Sequence, residues 1–197
     1  LTKAAGFSRL ELFRAHTEST PVHDDWSVPM VRDALADAGL ALTSLNIRNL
    51  TGRKADADEH NLAYNLRQLE WDIHLGRALG LSTMNTKGGE RTDEALADLI
   101  EGVNTLLKKI PDISLNLGNQ KDNRLQTLAD YQTVMPELST RAHVLLDTGH
   151  LLTADEPIMP FAEALADRIG HVHLRDQKGD KPVPFGTGDL PFAELIT

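Results

Sequence analysis

An apolar segment that ends in a carboxylate is the first feature of the sequence that could take part in chemistry. The run His143-Val-Leu-Leu stops at Asp147, and His150 follows three residues later. A buried strand has no structural need to end on aspartate, and the imidazole adds a second group that binds metals or carries protons. The alternative is that Asp147 only caps the next turn, because aspartate readily accepts hydrogen bonds from nearby backbone. We favour a metal or substrate role for the pair.

A second segment, Gly170-His-Val-His-Leu-Arg-Asp176, contains two histidines that alternate with apolar residues. Alternation along a strand puts His171 and His173 on one face. Two imidazoles near the end of a strand, followed by an aspartate, favour a site that binds a metal or a substrate. The alternative is that both are ordinary core histidines.

Polar side chains also follow the other apolar runs of the chain. We expect Glu11 to act as an acid or base or to bind substrate, with an ion pair to Arg14 as the alternative. Lys87 precedes two glycines and is expected to bind hydroxyl groups or phosphate, unless this segment is only a flexible polar loop. The glycines of Gly186-Thr-Gly188 could present backbone N–H groups to an anion or simply form a tight turn.

Six short runs rich in strand-forming residues are the elements that must position these groups. The predicted strands cover Phe7–Phe13, Ala41–Ile47, Leu81–Asn85, Ile113–Leu117, His143–Asp147 and Gly170–Leu174. Helical patterns separate them, with helices predicted over 27–38, 56–79, 92–109, 125–138 and 158–168 and the start of another near Pro191. Strands and helices that alternate at this spacing indicate a parallel sheet. Ligands of such folds bind at the carboxyl ends of the strands, where the polar residues fall.

The order of elements predicts an α/β fold, a (β/α)8 TIM barrel, as a single domain over residues 1–197. Such a barrel needs eight strands. The sequence has six, and it opens on what reads as the tail of a helix and closes on the start of one. We therefore expect the first and last strands to be missing from this chain, so that the domain is incomplete at both ends. An open six-stranded doubly wound sheet is the competing architecture.

The composition restricts the classes of function. The chain has no cysteine, which excludes disulfides, thiolate metal sites and cysteine nucleophiles and fits a cytoplasmic protein. Its net charge of −9 argues against nucleic-acid binding, because phosphate recognition usually needs a basic surface. No apolar run is long enough to cross a membrane, and residues 1–15 do not form a signal peptide pattern. A small molecule is therefore the expected partner.

Taken together, these segments resemble the xylose-isomerase-like superfamily of sugar-phosphate isomerases and epimerases. The resemblance runs over nearly the whole chain and rests on Gly6-Phe-Ser-Arg-Leu-Glu11-Leu, Leu146-Asp-Thr-Gly-His150, His171-Val-His-Leu-Arg-Asp176 and Val183-Pro-Phe-Gly-Thr-Gly-Asp189. Members of this superfamily are TIM barrels. The resemblance implies a divalent metal, which could be Mn²⁺, Mg²⁺, Co²⁺ or Zn²⁺. It is also compatible with a homo-oligomer, since these barrels often form dimers or tetramers.

The resemblance carries over to individual residues, with one departure. It implies that Asp147 and His173 bind the metal. The family often shows Leu-x-Leu-Glu-Asn-His at another strand end, where this chain has Leu115-Asn-Leu-Gly-Asn-Gln120. Gly118 thus replaces a glutamate that serves as metal ligand and acid–base group. We expect Gln120 to supply an oxygen ligand instead, although an amide binds metals more weakly than a carboxylate.

The activity that the resemblance implies is the movement of a proton next to the carbonyl of a sugar or sugar phosphate, through a metal-stabilised enediolate. Glu11 and His150 are the expected catalytic residues. The expected substrate-binding residues are Asn46, Asn85, Lys87, His150, Arg175 and Asp176.

Three other functions stay open from the sequence. An inosose-dehydratase-like lyase would use the same site. A sugar-binding barrel without catalysis would explain the loss of the glutamate at Gly118. DNA repair at abasic sites is disfavoured by the acidic charge.

Overall fold

Six parallel strands form one sheet in a computed structural model that describes residues 2–14, 28–50 and 62–196. The strands are β1 (Arg9–Phe13), β2 (Ala41–Asn46), β3 (Thr83–Lys87), β4 (Ser114–Gly118), β5 (Ala142–Asp147) and β6 (Ile169–His173). Each lies in the sheet beside its neighbour in the sequence. All six predicted strands are confirmed, with ends that differ by no more than two residues.

The sheet is curled into part of a TIM barrel. Neighbouring strands lie about 4.8 Å apart, so the first and sixth strands of a flat sheet would be separated by roughly 24 Å. Instead, the carboxylate of Glu11 on β1 lies 2.9 Å from the imidazoles of His171 and His173 on β6. The predicted barrel class is therefore confirmed. The doubly wound alternative is wrong, because such a sheet reverses its strand order and this one does not.

Helices follow the strands on the outer face of the sheet. They are α1 (Val28–Ala38), α2 (Leu62–Ala78), α3 (Asp93–Lys109), α4 (Leu128–Val134), α5 (Thr148–Thr153), α6 (Ile158–Leu165) and α7 (Phe192–Leu195). The Thr92 side chain caps α3 by accepting from the N–H of Ala95, as the sequence suggests. The predicted starts of the first two helices, at residues 27 and 56, lie outside the described residues.

Two short elements were not predicted from the sequence, and two predicted helices are longer than the α-helices observed. The 3₁₀ turns Met135–Glu137 and Ala166–Arg168 end the helical segments that start at α4 and α6. Pro136 forces the first of these changes, since proline lacks the N–H that an α-helix needs. Helix α5 and an antiparallel hairpin of β7 (Gln177–Lys178) and β8 (Lys181–Pro182) were not predicted. In the described residues, no helix has the length and hydrophobicity that a membrane crossing requires.

The two faces of the sheet have opposite character. Alternate strand residues pack outward against the helices and form the apolar core, which includes Leu45, Met84, Leu117, Leu146, Ile73, Leu99 and Leu106. The other set faces the barrel interior, where Ser44, Asn85 and Asn116 are completely buried. Asn85 Nδ2 donates to Ser44 Oγ at 3.2 Å, and Asn116 Nδ2 donates to Asn85 Oδ1 at 2.7 Å. This ladder of side chains crosses β2, β3 and β4 within the barrel.

Candidate functional site

A cavity of about 480 Å³ opens at the carboxyl ends of the strands. Volumes of this size hold small-molecule ligands. The lining residues come from β1, β2, β3, β5, β6 and the loops that follow them: Glu11, Phe13, Asn46, Lys87, Asp147, His150, Val172, His173, Leu174 and Arg175. The pocket therefore lies where a parallel barrel is expected to bind its ligand.

Glu11, His171 and His173 form a cluster that joins β1 to β6, the first and last strands of the six-stranded sheet. Oε2 of Glu11 lies 2.9 Å from Nε2 of each histidine. The ligand atoms of all three residues lie within 4.8 Å of one another. The two imidazoles thus share one face of β6, as alternation predicts. Arg14, the alternative partner proposed for Glu11, makes an ion pair with Asp72 at 3.2 Å.

Asp147 extends the cluster from β5. Its Oδ2 lies 3.5 Å from Nδ1 of His173, while Arg175 Nη2 donates to Oδ1 at 2.8 Å and to Oδ2 at 3.0 Å. Its Oδ1 also accepts from the backbone N–H of His150 at 3.1 Å and so caps α5. The capping role is confirmed. The same carboxylate also faces the pocket, and its metal or substrate role stays a prediction.

The contacts within the cluster shift the ionisation of its members. Burial alone would raise the pKa of Asp147, but hydrogen bonds from His173 and Arg175 lower it to about 2. Burial likewise opposes ionisation of Glu11, yet hydrogen bonds from His171 and His173 hold its pKa well below the ordinary value. Hydrogen bonds to Asp147 and Glu11 raise the pKa of His173 to about 9. When no metal is bound, His173 is thus protonated at pH 7, and its positive charge lies between the carboxylates of Glu11 and Asp147.

This donor set fits a divalent metal. Carboxylate oxygens and imidazole nitrogens are ligands for Mn²⁺, Mg²⁺, Co²⁺ and Zn²⁺. Glu11 Oε1 is buried and has no hydrogen-bond partner among the described residues. A buried carboxylate oxygen without a donor is costly unless a cation meets it. Glu11, Asp147, His171 and His173 are therefore the residues that could hold such an ion.

Lys87, His150 and Gln120 form a second group of polar contacts, of which Lys87 and His150 line the pocket. Lys87 Nζ donates to Gln120 Oε1 at 2.7 Å and lies 3.4 Å from His150 Nε2. Burial lowers the pKa of His150 to about 4, so its imidazole is neutral at pH 7. Burial also lowers the pKa of Lys87. The Gln120 oxygen accepts a hydrogen bond from the Lys87 ammonium. This hydrogen bond competes with the predicted role of Gln120 as a metal ligand.

The remaining predicted site residues divide between the pocket and its surroundings. Asn46 and Arg175 line the cavity. Asn85 instead lies inside the buried ladder beneath the cavity. Asp176 is 3% exposed, and its carboxylate accepts from the backbone N–H groups of Gly186, Gly188 and Leu190 at 2.8, 3.0 and 3.1 Å. The N–H groups predicted to hold an anion therefore bind a carboxylate of the chain itself.

Three residues position the site through contacts that were not predicted from the sequence. Asn119 donates to the carbonyl of Asp147 at 3.0 Å and accepts from its N–H at 2.8 Å, which fixes the end of β5. The Thr148 hydroxyl accepts from the N–H of Arg175 at 2.8 Å. Gly149 leaves room for Arg175, whose Nε would lie 2.7 Å from a Cβ at that position. The run Asp147-Thr-Gly149 is the sequence signal, because all three residues lie against Arg175 in the loop after β6.

Comparison with known proteins gives a match along the full chain. The sequence model of the family described as xylose isomerase-like TIM barrel matches residues 1–197. An inosose dehydratase from Salmonella typhimurium is 33% identical over 86 residues, which cover 42% of this chain and 29% of that relative. A Streptomyces coelicolor protein whose name describes a hydroxypyruvate isomerase is 24% identical over 217 residues, covering 98% of this chain and 76% of the relative.

Solved structures agree on the fold. A xylose isomerase-like TIM barrel protein from Mycobacterium smegmatis, in complex with magnesium, superposes with a TM-score of 0.76 at 19% identity. The superposition covers 99% of this chain and 74% of the other. At this level of identity, the similarity supports the fold alone.

Proposed function

The chain belongs to the xylose isomerase-like TIM barrel family, and on that premise we propose that its pocket binds a divalent metal and a small polyhydroxylated carbonyl compound and moves a proton at the carbon next to the carbonyl. The observation that carries this proposal is the cluster at the strand ends, in which the ligand atoms of Glu11, His171 and His173 lie within 4.8 Å of one another. Asp147 Oδ2 adjoins this cluster, 3.5 Å from Nδ1 of His173. The magnesium named for the Mycobacterium smegmatis structure is consistent with it.

The proposed metal ligands and the proposed proton carrier are different residues of the same pocket. A divalent metal held by the cluster would polarise a carbonyl oxygen and stabilise negative charge on it. His150 is neutral at pH 7 and lies beside the cavity, so its Nε2 can accept the proton from the adjacent carbon. Asn46 and Arg175 line the same cavity and have donors for the hydroxyl groups of a substrate. His150 is thus the proposed base in a chain that has Gly118 in place of the family glutamate.

Dehydration is the second candidate reaction. The Salmonella typhimurium relative is named as an inosose dehydratase. Its sequence identity to this chain is 33% over 86 residues, compared with 24% over 217 residues for the relative named as an isomerase. The first step would be the same removal of a proton beside a carbonyl. A hydroxyl group would then leave from the next carbon, so the two reactions differ in whether the product has lost water.

Deuterium exchange tests the proposal without knowledge of the natural substrate. The metal-free protein is supplied with Mg²⁺ or Mn²⁺ in D₂O and incubated with hydroxypyruvate, D-fructose or an inosose. NMR follows deuterium at the carbon beside the carbonyl, and mass spectrometry distinguishes an isomer from a product that has lost water. We expect exchange that needs the metal and disappears in His173→Ala. Exchange at the rate of heat-inactivated protein for every compound would refute the proposal.

A further inference from the structure

We propose that the substrate of this pocket carries an anionic group, a carboxylate or a phosphate, and that Lys87 binds it. This inference rests on the proposed function and narrows its substrate class from any small carbonyl compound to an acidic one. The evidence is the placement of one half-buried ammonium and the balance of charge around the cavity.

Lys87 is a cation with neutral partners. Its Nζ contacts the amide oxygen of Gln120 at 2.7 Å and the imidazole Nε2 of His150 at 3.4 Å. In residues 2–14, 28–50 and 62–196, it makes no ion pair with a carboxylate, whereas Arg91 pairs with Asp130 at 2.7 Å and Lys109 with Glu70 at 2.7 Å. An ammonium has three N–H donors, so Lys87 retains capacity for another acceptor. Asp147 and Glu11 stabilise the ammonium only from a distance, and burial still lowers the pKa of Lys87. A bound anion in contact with Nζ would offset this cost of burial.

The carboxylates of the pocket are engaged elsewhere. Asp147 is bound by both the guanidinium of Arg175 and the imidazole of His173, and Glu11 is bound by the histidines of β6. In the described lining, Lys87 and Arg175 balance the carboxylates of Glu11 and Asp147. A divalent metal bound there would therefore leave an excess of two positive charges. A neutral sugar would leave the excess unbalanced, whereas an acidic substrate would reduce it.

Gly118 explains why the lysine is both accommodated and unpaired. Lys87 and Gly118 are register partners on β3 and β4. A Cβ at Gly118 would lie 3.5 Å from Lys87 Cγ, so the stem of the lysine passes beside the glycine. The resemblance places a glutamate at this position in the family. Its absence removes a carboxylate that would stand next to Lys87 and leaves that place to an anion of the substrate.

The position of His150 sets the arrangement of the bound molecule. Its Nε2 lies 3.4 Å from Lys87 Nζ and 4.0 Å from Asp147 Oδ2. The Lys87 ammonium and the Asp147 carboxylate thus both lie close to one imidazole nitrogen, so the anionic group and the reacting carbonyl would be only a few atoms apart. A molecule with only a few carbon atoms can span that separation, which matches a keto acid or a short sugar phosphate.

Calorimetric binding to matched ligand pairs tests the inference. Hydroxypyruvate is compared with dihydroxyacetone, which has the same number of carbons and no charge, and D-fructose 6-phosphate is compared with D-fructose, all with Mg²⁺ present. We expect one acid to bind about ten- to a hundredfold more tightly than its neutral counterpart, the range for a charge-assisted hydrogen bond. The preferred pair identifies a carboxylate or a phosphate as the anion. The preference should decrease as salt is added.

Three variants locate the anion. Lys87→Met should abolish the preference for the acid over its neutral counterpart, and Lys87→Arg should retain part of the preference. Lys109→Met is the matched control, because this exposed lysine pairs with Glu70 outside the pocket. Circular dichroism confirms that each variant is folded. The comparison of acidic with neutral ligands uses the wild-type protein alone, so it tests the inference even if a variant fails to fold.

The outcomes separate this inference from the proposed function. Equal binding of acid and neutral compound by the wild-type protein overturns the inference, and so does a preference that survives in Lys87→Met. If proton exchange occurs on neutral sugars without any preference for acids, the proposed function stands and the inference fails. If acids bind through Lys87 but no compound exchanges a proton, the inference stands and the proposed function fails.

Discussion

Metal binding to this protein should depend steeply on pH, because His173 must lose its proton before it can act as a ligand. Hydrogen bonds to Asp147 and Glu11 raise its pKa from 6.5 to about 9. A proton that occupies a ligand competes with the metal, so affinity rises with pH until the ligand is deprotonated in the free protein. At pH 7, only about 1% of His173 would be unprotonated, and the apparent Kd should be about 100-fold weaker than above pH 9.

Titration calorimetry with Mg²⁺ between pH 6.5 and 9.5 measures this dependence. We expect affinity to increase about tenfold per pH unit up to about pH 9 and then to level off. Near pH 7.5, about one proton should be released for each metal bound, which is measured by repeating the titration in buffers with different ionisation enthalpies.

Two variants identify the titrating group. His173→Gln should weaken binding and flatten the pH dependence, because the amide carries no titratable proton. His143→Gln is the control, since His143 lies toward the other end of β5 from Asp147. An affinity that stays constant from pH 6.5 to 9, or an undiminished slope in His173→Gln, would show that His173 does not exchange a proton for the metal.

Three further substitutions have defined outcomes. His150→Gln should slow proton exchange by about 100-fold or more while the Kd for the metal changes little, as measured by NMR and calorimetry; unchanged exchange would exclude His150 as the base. Gly149→Ala should lower the free energy of unfolding by about 1–2 kcal/mol in urea denaturation, because its Cβ would displace the side chains of Arg175 and Gln177; a gain in stability would contradict this packing. Asp176→Ala should cost about 2–3 kcal/mol by the same assay, because it leaves backbone N–H groups without an acceptor, whereas Asp176→Asn should cost less; equal stability of the two variants would count against the cap.

Most of the fold could be predicted from the sequence, because the strands and long helices have clear signals. The strands are short runs rich in strand-forming residues at regular spacing. Glycine with positive φ at Gly39 and Gly80 marks two of the turns into them. The short elements could not be predicted in this way. Helix α5 has six residues, too few for a helical period to stand out, and its start depends on the Asp147 cap. The hairpin β7–β8 has strands of only two residues.

The candidate site could be predicted in part, because a sequence shows which residues are polar but not what they contact. Alternation predicts that His171 and His173 share one face of the strand but does not predict their partner. Glu11 contacts both histidines only because the sheet is curled. Asn85 and Asp176 have the same polar character as the residues that line the pocket. One belongs to a side-chain ladder and the other to a backbone cap, and both arrangements depend on contacts distant in the chain.

The ladder of Ser44, Asn85 and Asn116 constrains how this barrel can evolve. Each hydrogen bond joins side chains from neighbouring strands. An apolar replacement of one residue therefore leaves its buried partner without a hydrogen bond, which lowers the free energy of unfolding by about 1–3 kcal/mol. Replacing neighbouring members together avoids much of that penalty. Substitutions at these three positions should therefore accumulate as correlated pairs across homologous barrels, and the floor of the pocket should diverge more slowly than its rim.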